Sequence, residues 1–193
     1  MTCGEGGALC LADPEVARRA EVIREKGTNR SAFLRGEVDK YTWVAEGSSY
    51  VLSDVLAALL DAQLDKQDEI AARRARIARR YRDGLAGWAK SHGVRLPPQL
   101  PGRVVNDHIF YLLLPDAAAQ DACLEALHKR GIGATFHYVP LHSSPFAASL
   151  GARPGRFPVT ERIARTLVRL PLHPLLEDAD VSRVIDATLK SLG

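Results

Sequence analysis

Residues 136–142 read Phe-His-Tyr-Val-Pro-Leu-His, so that two imidazoles and a phenol fall in one short stretch. A strand carrying His137 and Tyr138 would run into a turn fixed by Pro140 and closed by His142. Such groups can hydrogen-bond sugar hydroxyls or phosphate oxygens at a strand end. The same residues also suit two surface histidines on an edge strand, and the residue types alone do not choose. A second stretch, Gly4-Glu5-Gly6-Gly7, is a backbone that could hug a ligand, but it matches neither GxGxxG nor a P-loop. It reads as a tight turn into a short buried strand, Gly7 to Leu11. A third stretch, Thr28 to Ser53, shows no period and is rich in Arg, Gly, Ser and aromatics (Phe33, Tyr41, Trp43, Tyr50). A structureless segment of that length inside a compact domain is usually functional.

Other chemistries find less support. Six arginines stand within Arg73 to Arg82, which invites a nucleic-acid surface. Most of them project away from the Ile70/Ile77/Tyr81 stripe, and Asp65, Asp68 and Glu69 lie one or two turns upstream, so a solvated face with internal ion pairs is expected. The six histidines form no HExxH and no paired Cys/His spacing, so no metal site is expected. No nucleophile elbow supports a Ser/His/Asp triad. The net charge of +3 on 193 residues permits nucleic-acid binding without demanding it. The three cysteines, Cys3, Cys10 and Cys123, form no CxxC pair and fit a reduced, cytoplasmic setting. No apolar run approaches the length of a membrane span.

The elements that must position these residues follow from periodicity and caps. Asp13-Pro14-Glu15 supplies an N-cap, a proline at the first helical position and an early acid, and Gly27 closes the helix. Ser53 caps a very long pattern in which Leu56, Leu60, Leu64, Ile70, Ile77, Tyr81, Leu85 and Trp88 form one stripe to Gly93. Strands are expected at His108–Leu114 and Ala134–Val139. Helices are expected at Asp116–Arg130, Val159–Val168 and Asp178–Leu192. The fold class is α/β. Residues 1–53 read as a remnant of a larger domain, 54–93 as a long connecting helix, and 94–193 as a small α/β domain able to fold independently.

Several stretches, in order and at matching spacing, resemble the C-terminal half of the DegT/DnrJ/StrS sugar-nucleotide aminotransferases. They are Thr2 to Leu9, Ile23 to Ser31, Phe33 to Trp43, Gly47 to Tyr50, His137 to His142 and Arg169-Leu170-Pro171-Leu172. The Lys40–Trp43 loop resembles the branch that forms dTDP-4-amino-4,6-dideoxygalactose. The fold implied is part of the PLP fold type I: an edge of the large domain, a spacer helix and the small C-terminal domain. The activity implied is amination of C4 of a dTDP-4-keto-6-deoxy sugar from glutamate, with pyridoxal phosphate (PLP) as cofactor, for cell-surface polysaccharide synthesis.

In that family the glycine run directly follows the lysine that forms a Schiff base with PLP, and here Met1 stands where the lead-in would be. The resemblance therefore implies that the chain is what lies beyond the catalytic lysine. None of Lys26, Lys40, Lys66, Lys90, Lys129 and Lys190 inherits that role, and the chain alone is expected to be inactive. The resemblance puts Ser49 and Tyr50 at a dimer interface facing the cofactor phosphate of a partner subunit, and so implies a homo-oligomer. Relatives often carry a G-x-N-x-R pattern there, where this chain has Ser49 and Val51. Arg30, Tyr41, Trp43, His137, Tyr138 and His142 would line the sugar-nucleotide side. Two other readings stay open: a non-catalytic binding or assembly module, and a nucleic-acid binder acting through the Arg-rich helix.

Overall fold

The computed structural model describes residues 1–192, and packing divides the chain into two units, Met1–Gln67 and Asp68–Gly193. In the first unit, α1 (Pro14–Arg24) starts as the sequence predicts. The Asp13 carboxylate accepts from the Glu15 N–H at 2.8 Å, and Pro14 takes the first helical position. A short helix, α2 (Arg30–Leu34), interrupts the long loop, and α3 (Asp54–Leu64) follows, capped by Ser53. The Arg35 guanidinium reaches back to both carboxylate oxygens of Glu21 at 3.2 and 3.0 Å, linking the end of α2 to α1.

Two expectations fail in this unit. Residues 7–11 form no strand, and Leu9 is 74% exposed. The Gly4 and Gly6 φ values of 82° and 151° do make the turn, but a strand needs a hydrogen-bonded neighbour and none of the described residues offers one. The long stripe from Leu56 to Trp88 is carried by two helices. The first ends at Leu64, with the Lys66 N–H bonding the Gln63 carbonyl in a tightened turn. Asp65 to Glu69 are five polar residues in succession, which leaves the helix no apolar face to bury there.

The second unit holds the main core. The helix α4 (Gln67–Ser91) buries Ile77, Ala78, Tyr81, Leu85, Trp88 and Ala89. They pack in one cluster with β1 (Phe110–Leu113), α5 (Ala117–Lys129), β2 (Leu167–Leu170) and α8 (Asp178–Leu189). Two short helices, α6 (Pro145–Ser149) and α7 (Pro158–Ala164), lie between α5 and β2. β1 and β2 pair antiparallel with Phe110 opposite Leu170 and Tyr111 opposite Arg169. Bridges widen this sheet on both sides: Arg95 pairs with Leu113, and Thr135 with Arg169. The strand expected over Ala134–Val139 is reduced to that Thr135 bridge. The helix expected over Val159–Val168 stops at Ala164, and Leu167 onward is strand.

Half of the six arginines in the run, Arg73, Arg76 and Arg80, make ion pairs within this unit. Arg76 and Arg80 meet Asp178 at 3.6 and 2.9 Å, Arg80 also donates to the Ser182 hydroxyl at 2.8 Å, and Arg73 pairs with Glu69 at 3.1 Å. The upstream acid expected to pair does so for Arg73. For Arg76 and Arg80 the partner is on α8.

Since α4 supplies six core residues, it belongs to the C-terminal unit by packing and is no mere connector. Residues 68–193 expressed alone should therefore unfold cooperatively in urea, whereas residues 94–193 should not. In the full chain, Leu85→Ala should lower stability by about 2–5 kcal/mol, the usual cost of emptying a fully buried leucine site. Urea titration followed by circular dichroism of the fragments and the variant checks both, and a cooperative 94–193 fragment would refute the assignment.

Candidate functional site

In the first unit the segment Ser48–Tyr50 is held against the end of α1 by backbone. The Lys26 N–H donates to the Ser48 carbonyl at 3.1 Å and the Tyr50 N–H to the Arg24 carbonyl at 3.0 Å, so Glu25 and Ser49 form an antiparallel bridge. This approach is possible because two glycines meet. A Cβ on Gly47 would lie 2.2 Å from the Gly27 nitrogen, and one on Gly27, at φ 77°, would lie 1.7 Å from the Ala45 carbonyl oxygen. No side chain fits either position. The loop is clamped further by Asn29, whose Oδ1 accepts from the Thr42 N–H at 2.7 Å while its Nδ2 donates to the Lys40 carbonyl at 3.1 Å. Thr28 and Trp43 form a second bridge.

The residues predicted for function in this unit are consequently presented outward. Trp43 is 74% exposed and Tyr50 69%, and Arg30 and Tyr41 are also exposed. Exposed aromatics on a fixed backbone are contact surface rather than core. The Ser49 hydroxyl and N–H bond no described residue. Glu25, across the bridge, accepts from the Ser31 hydroxyl at 3.2 Å and pairs with Arg24, and its Oε2 is shielded without a partner. An open groove of ≈ 940 Å³ runs beside α1, walled by Leu9, Leu11, Ala17, Ala20, Ile23 and Tyr50.

In the second unit the 136–142 stretch separates into two environments. His137 and Tyr138 stay near β2: the Arg169 guanidinium donates to the Tyr138 hydroxyl at 3.3 Å, and the His137 and Tyr138 rings meet edge to face at 4.1 Å. Burial, followed by the nearby Arg169 guanidinium, holds the His137 imidazole below its ordinary pKa. His142 turns elsewhere. Its Nε2 lies 3.0 Å from a Glu161 carboxylate oxygen, its ring packs on Phe157 at 4.8 Å, and its side chain is 11% exposed. Glu161 sits in the first turn of α7 and also accepts from the Gly155 N–H at 2.7 Å. Bonding from His142 first, then from Gly155, holds its carboxyl below the usual carboxylate range. A cleft of ≈ 480 Å³ opens beside these groups, lined by Phe136, Tyr138, Val139, Pro140, Glu161 and Arg165 among others.

The sequence pattern of the DegT/DnrJ/EryC1/StrS aminotransferase family matches residues 1–189. The chain belongs to that family. It is 34% identical over 95% of its length to dTDP-3-amino-3,4,6-trideoxy-alpha-D-glucose transaminase of Streptomyces venezuelae, of which it covers 45%. It is 33% identical over its whole length to dTDP-4-dehydro-2,3,6-trideoxy-D-glucose 4-aminotransferase of Saccharopolyspora spinosa, covering 49%. Among solved structures it superimposes with a TM-score of 0.78 and 32% identity on S. venezuelae DesV in complex with a ketimine intermediate, over 92% of this chain and 44% of that one. The chain thus spans about half the length of the curated relatives it matches. Its two units are part of the PLP-dependent fold type I, and the aminotransferases of the family are PLP-dependent.

The donor set meets that cofactor's needs in part. The free Ser49 hydroxyl and N–H suit a phosphate, with Arg24 offsetting the Glu25 carboxylate. An anchoring amine is another matter, because all six lysines are exposed and a catalytic lysine is normally desolvated or charge-paired so that it loses its proton. Among the described residues no group of His, Cys, Asp and Glu could hold a metal ion, and no helix is long and apolar enough to cross a membrane.

Sequence reasoning passes over four contributors: Asn29, the Gly27–Gly47 contact, Glu161 and Arg169. Only the glycines leave a local signal. The others act through partners 11 or more positions away.

Gly47→Ala should break the Glu25–Ser49 bridge. Amide exchange at Lys26 and Tyr50 should then accelerate at least about tenfold, reporting loss of a locally protected unit; unchanged protection would mean the glycine contact is dispensable. The depressed Glu161 carboxyl supports stability that is complete above its unfolded pKa, about 4.3, and is lost as pH falls through the lower folded value. Thermal midpoints of the wild-type chain should therefore drop more steeply below about pH 4 than those of Glu161→Gln, and parallel curves would sink this account.

Proposed function

We propose that this chain is the portion, C-terminal to the cofactor-anchoring lysine, of an enzyme that aminates C4 of a dTDP-4-keto-6-deoxy sugar with glutamate as donor. The observation that carries the reading is the match across residues 1–189 to sugar aminotransferases, together with the rigid outward display of Ser49, Tyr50, Trp43 and Tyr138. PLP, when bound, supplies the electron sink for moving an amino group between two carbon skeletons. This chain's own residues hold and orient. Ser49 and Tyr50 face the cofactor phosphate of a partner subunit in a homo-oligomer. Arg30, Tyr41 and Trp43 contact the sugar nucleotide, the guanidinium on its phosphates and the aromatics on base or sugar faces.

His137 and Tyr138 serve the same substrate from the C-terminal unit. His142, locked by Glu161, sets the shape of the turn that presents them. The branch favoured is the one that forms dTDP-4-amino-4,6-dideoxygalactose for cell-surface polysaccharide. Its support is the Lys40–Trp43 loop and the serine at position 49, where relatives often carry asparagine.

The proposal includes that the chain alone is inactive, for want of a suitable lysine. Mixing it with PLP, reducing with borohydride and mapping lysines by mass spectrometry should give scattered substoichiometric labelling. Glutamate-dependent turnover of a dTDP-4-keto sugar should match free PLP. A single stoichiometrically labelled lysine, with turnover lost on its replacement, would show that the anchoring group lies within these residues.

A further inference from the structure

We propose that the groove between the end of α5 and the outer side of α8 is a docking surface for an acidic segment of a partner protein. Val181, Val184, Ala187 and Thr188 turn α8 toward the core. Ala179, Arg183, Asp186 and Lys190 recur at helical spacing along its other side, and all four are exposed. Arg130, at the end of α5, faces them across a groove of ≈ 500 Å³. Both guanidiniums are pinned to backbone: Arg183 donates to the Arg130 carbonyl at 2.6 Å, and Arg130 to the Ala126 carbonyl at 2.8 Å. One bond uses one of a guanidinium's five N–H donors, so each planar fork is held in place with most of its capacity unspent. Among the described residues no carboxylate lies within ion-pair distance of Arg130, Arg183 or Lys190.

A charged helix face is ordinarily solvated and laced with its own ion pairs, as α4 is through Glu69 and Asp178. The groove differs, because its cations are fixed and meet no acid. Residues 68–193 hold 18 of the 26 Lys and Arg but only 12 of the 23 Asp and Glu, so the complementary partner is negative. A protein segment fits better than a nucleic acid. No aromatic ring lines the groove for a base to stack on. Asp186, its one carboxylate, opposes a continuous phosphate backbone yet can accept an N–H from a peptide. Ala179 and Ala187 leave room for a backbone to come close, and aspartate or glutamate side chains match the two guanidinium forks. The groove shares no lining residue with the cleft beside Tyr138, and this surface does not rest on the aminotransferase reading.

The test is an NMR titration of the isotope-labelled full chain, at constant ionic strength, with an end-capped helical peptide bearing glutamates at i,i+4 on one face. The same peptide with glutamine for glutamate, and a single-stranded oligothymidylate, form the other arms. Saturable shifts at the amides of residues 179–190 and around Arg130 are expected with the glutamate peptide alone. Arg130→Gln and Arg183→Gln should each weaken binding about threefold, and Asp186→Asn should tighten it by about as much, the scale of single exposed ion pairs. Arg153→Gln removes the same charge from another exposed position of this unit and should change nothing. Core amide shifts report folding. If either arginine variant disturbs them, Lys190→Gln and Asp186→Asn, both at exposed side chains, decide the matter. Shifts that do not saturate, equal binding of the glutamine peptide, tighter binding of the oligothymidylate, or an Arg153→Gln effect as large as that of Arg183→Gln each overturn the proposal.

Discussion

The C-terminal unit depends on how α4 meets the sheet, and Tyr81 is the residue at which that contact is made specific. Its ring is fully buried and tilted against Phe110, with centroids 5.3 Å apart. Its hydroxyl donates to the Pro171 carbonyl at 2.7 Å, just beyond the end of β2. One side chain thereby ties the helix to β1 by packing and to the exit of β2 by a hydrogen bond. Burial also pushes the phenol's pKa well up, so the group stays a neutral donor. With α4 seated in this way, Val168 and Leu170 turn inward, and Arg169 is committed to the outer face beside Tyr138. The polar side of the sheet is thus a consequence of the apolar side.

The N-terminal unit works by a different economy. Among its described residues only Cys3 and Gly27 are buried, so side-chain burial contributes little to its shape. Order comes from backbone pairing at close quarters, from the Asn29 clamp, and from the mutual bonds between Thr2 and the Gln63 side chain at 2.9 and 2.6 Å. A surface built this way can display large aromatics without folding them inward. The apolar groove beside α1 and the exposed tryptophan are what such a unit offers to whatever covers it.

Helices whose ends carry their own chemistry were legible in the sequence. Asp13-Pro14, Ser53 and Asp116 each cap a helix where expected, because the signal and its effect lie within one turn. Elements that exist only through a distant partner were not. Leu167–Leu170 continues a helical spacing from Ile163, and only the pairing with β1 makes it a strand. Gly7–Leu11 has the composition of a strand and lacks the neighbour. The same distinction divides the site. His137, Tyr138 and His142 can be picked out as one motif, yet Glu161, lying 19 positions away, withdraws His142 into the turn. Arg169 is visible in the sequence within the Arg-Leu-Pro-Leu run, and its place beside Tyr138 emerges only from the sheet register.

The union of α4 and α8 has a bearing on how the protein is made. Arg80 reaches Asp178 and Ser182, and a Cβ on Gly84 would stand 3.0 Å from Ile185, so partners nearly a hundred residues apart close the same face. During synthesis α4 leaves the ribosome with its apolar stripe uncovered and must wait while the remainder of the unit is translated. At ordinary elongation rates, about 5–20 residues per second, that delay is about 5–20 seconds. Over that interval the nascent helix is a natural client for chaperones that hold apolar segments, and a slow codon run between α4 and α8 would lengthen its exposure.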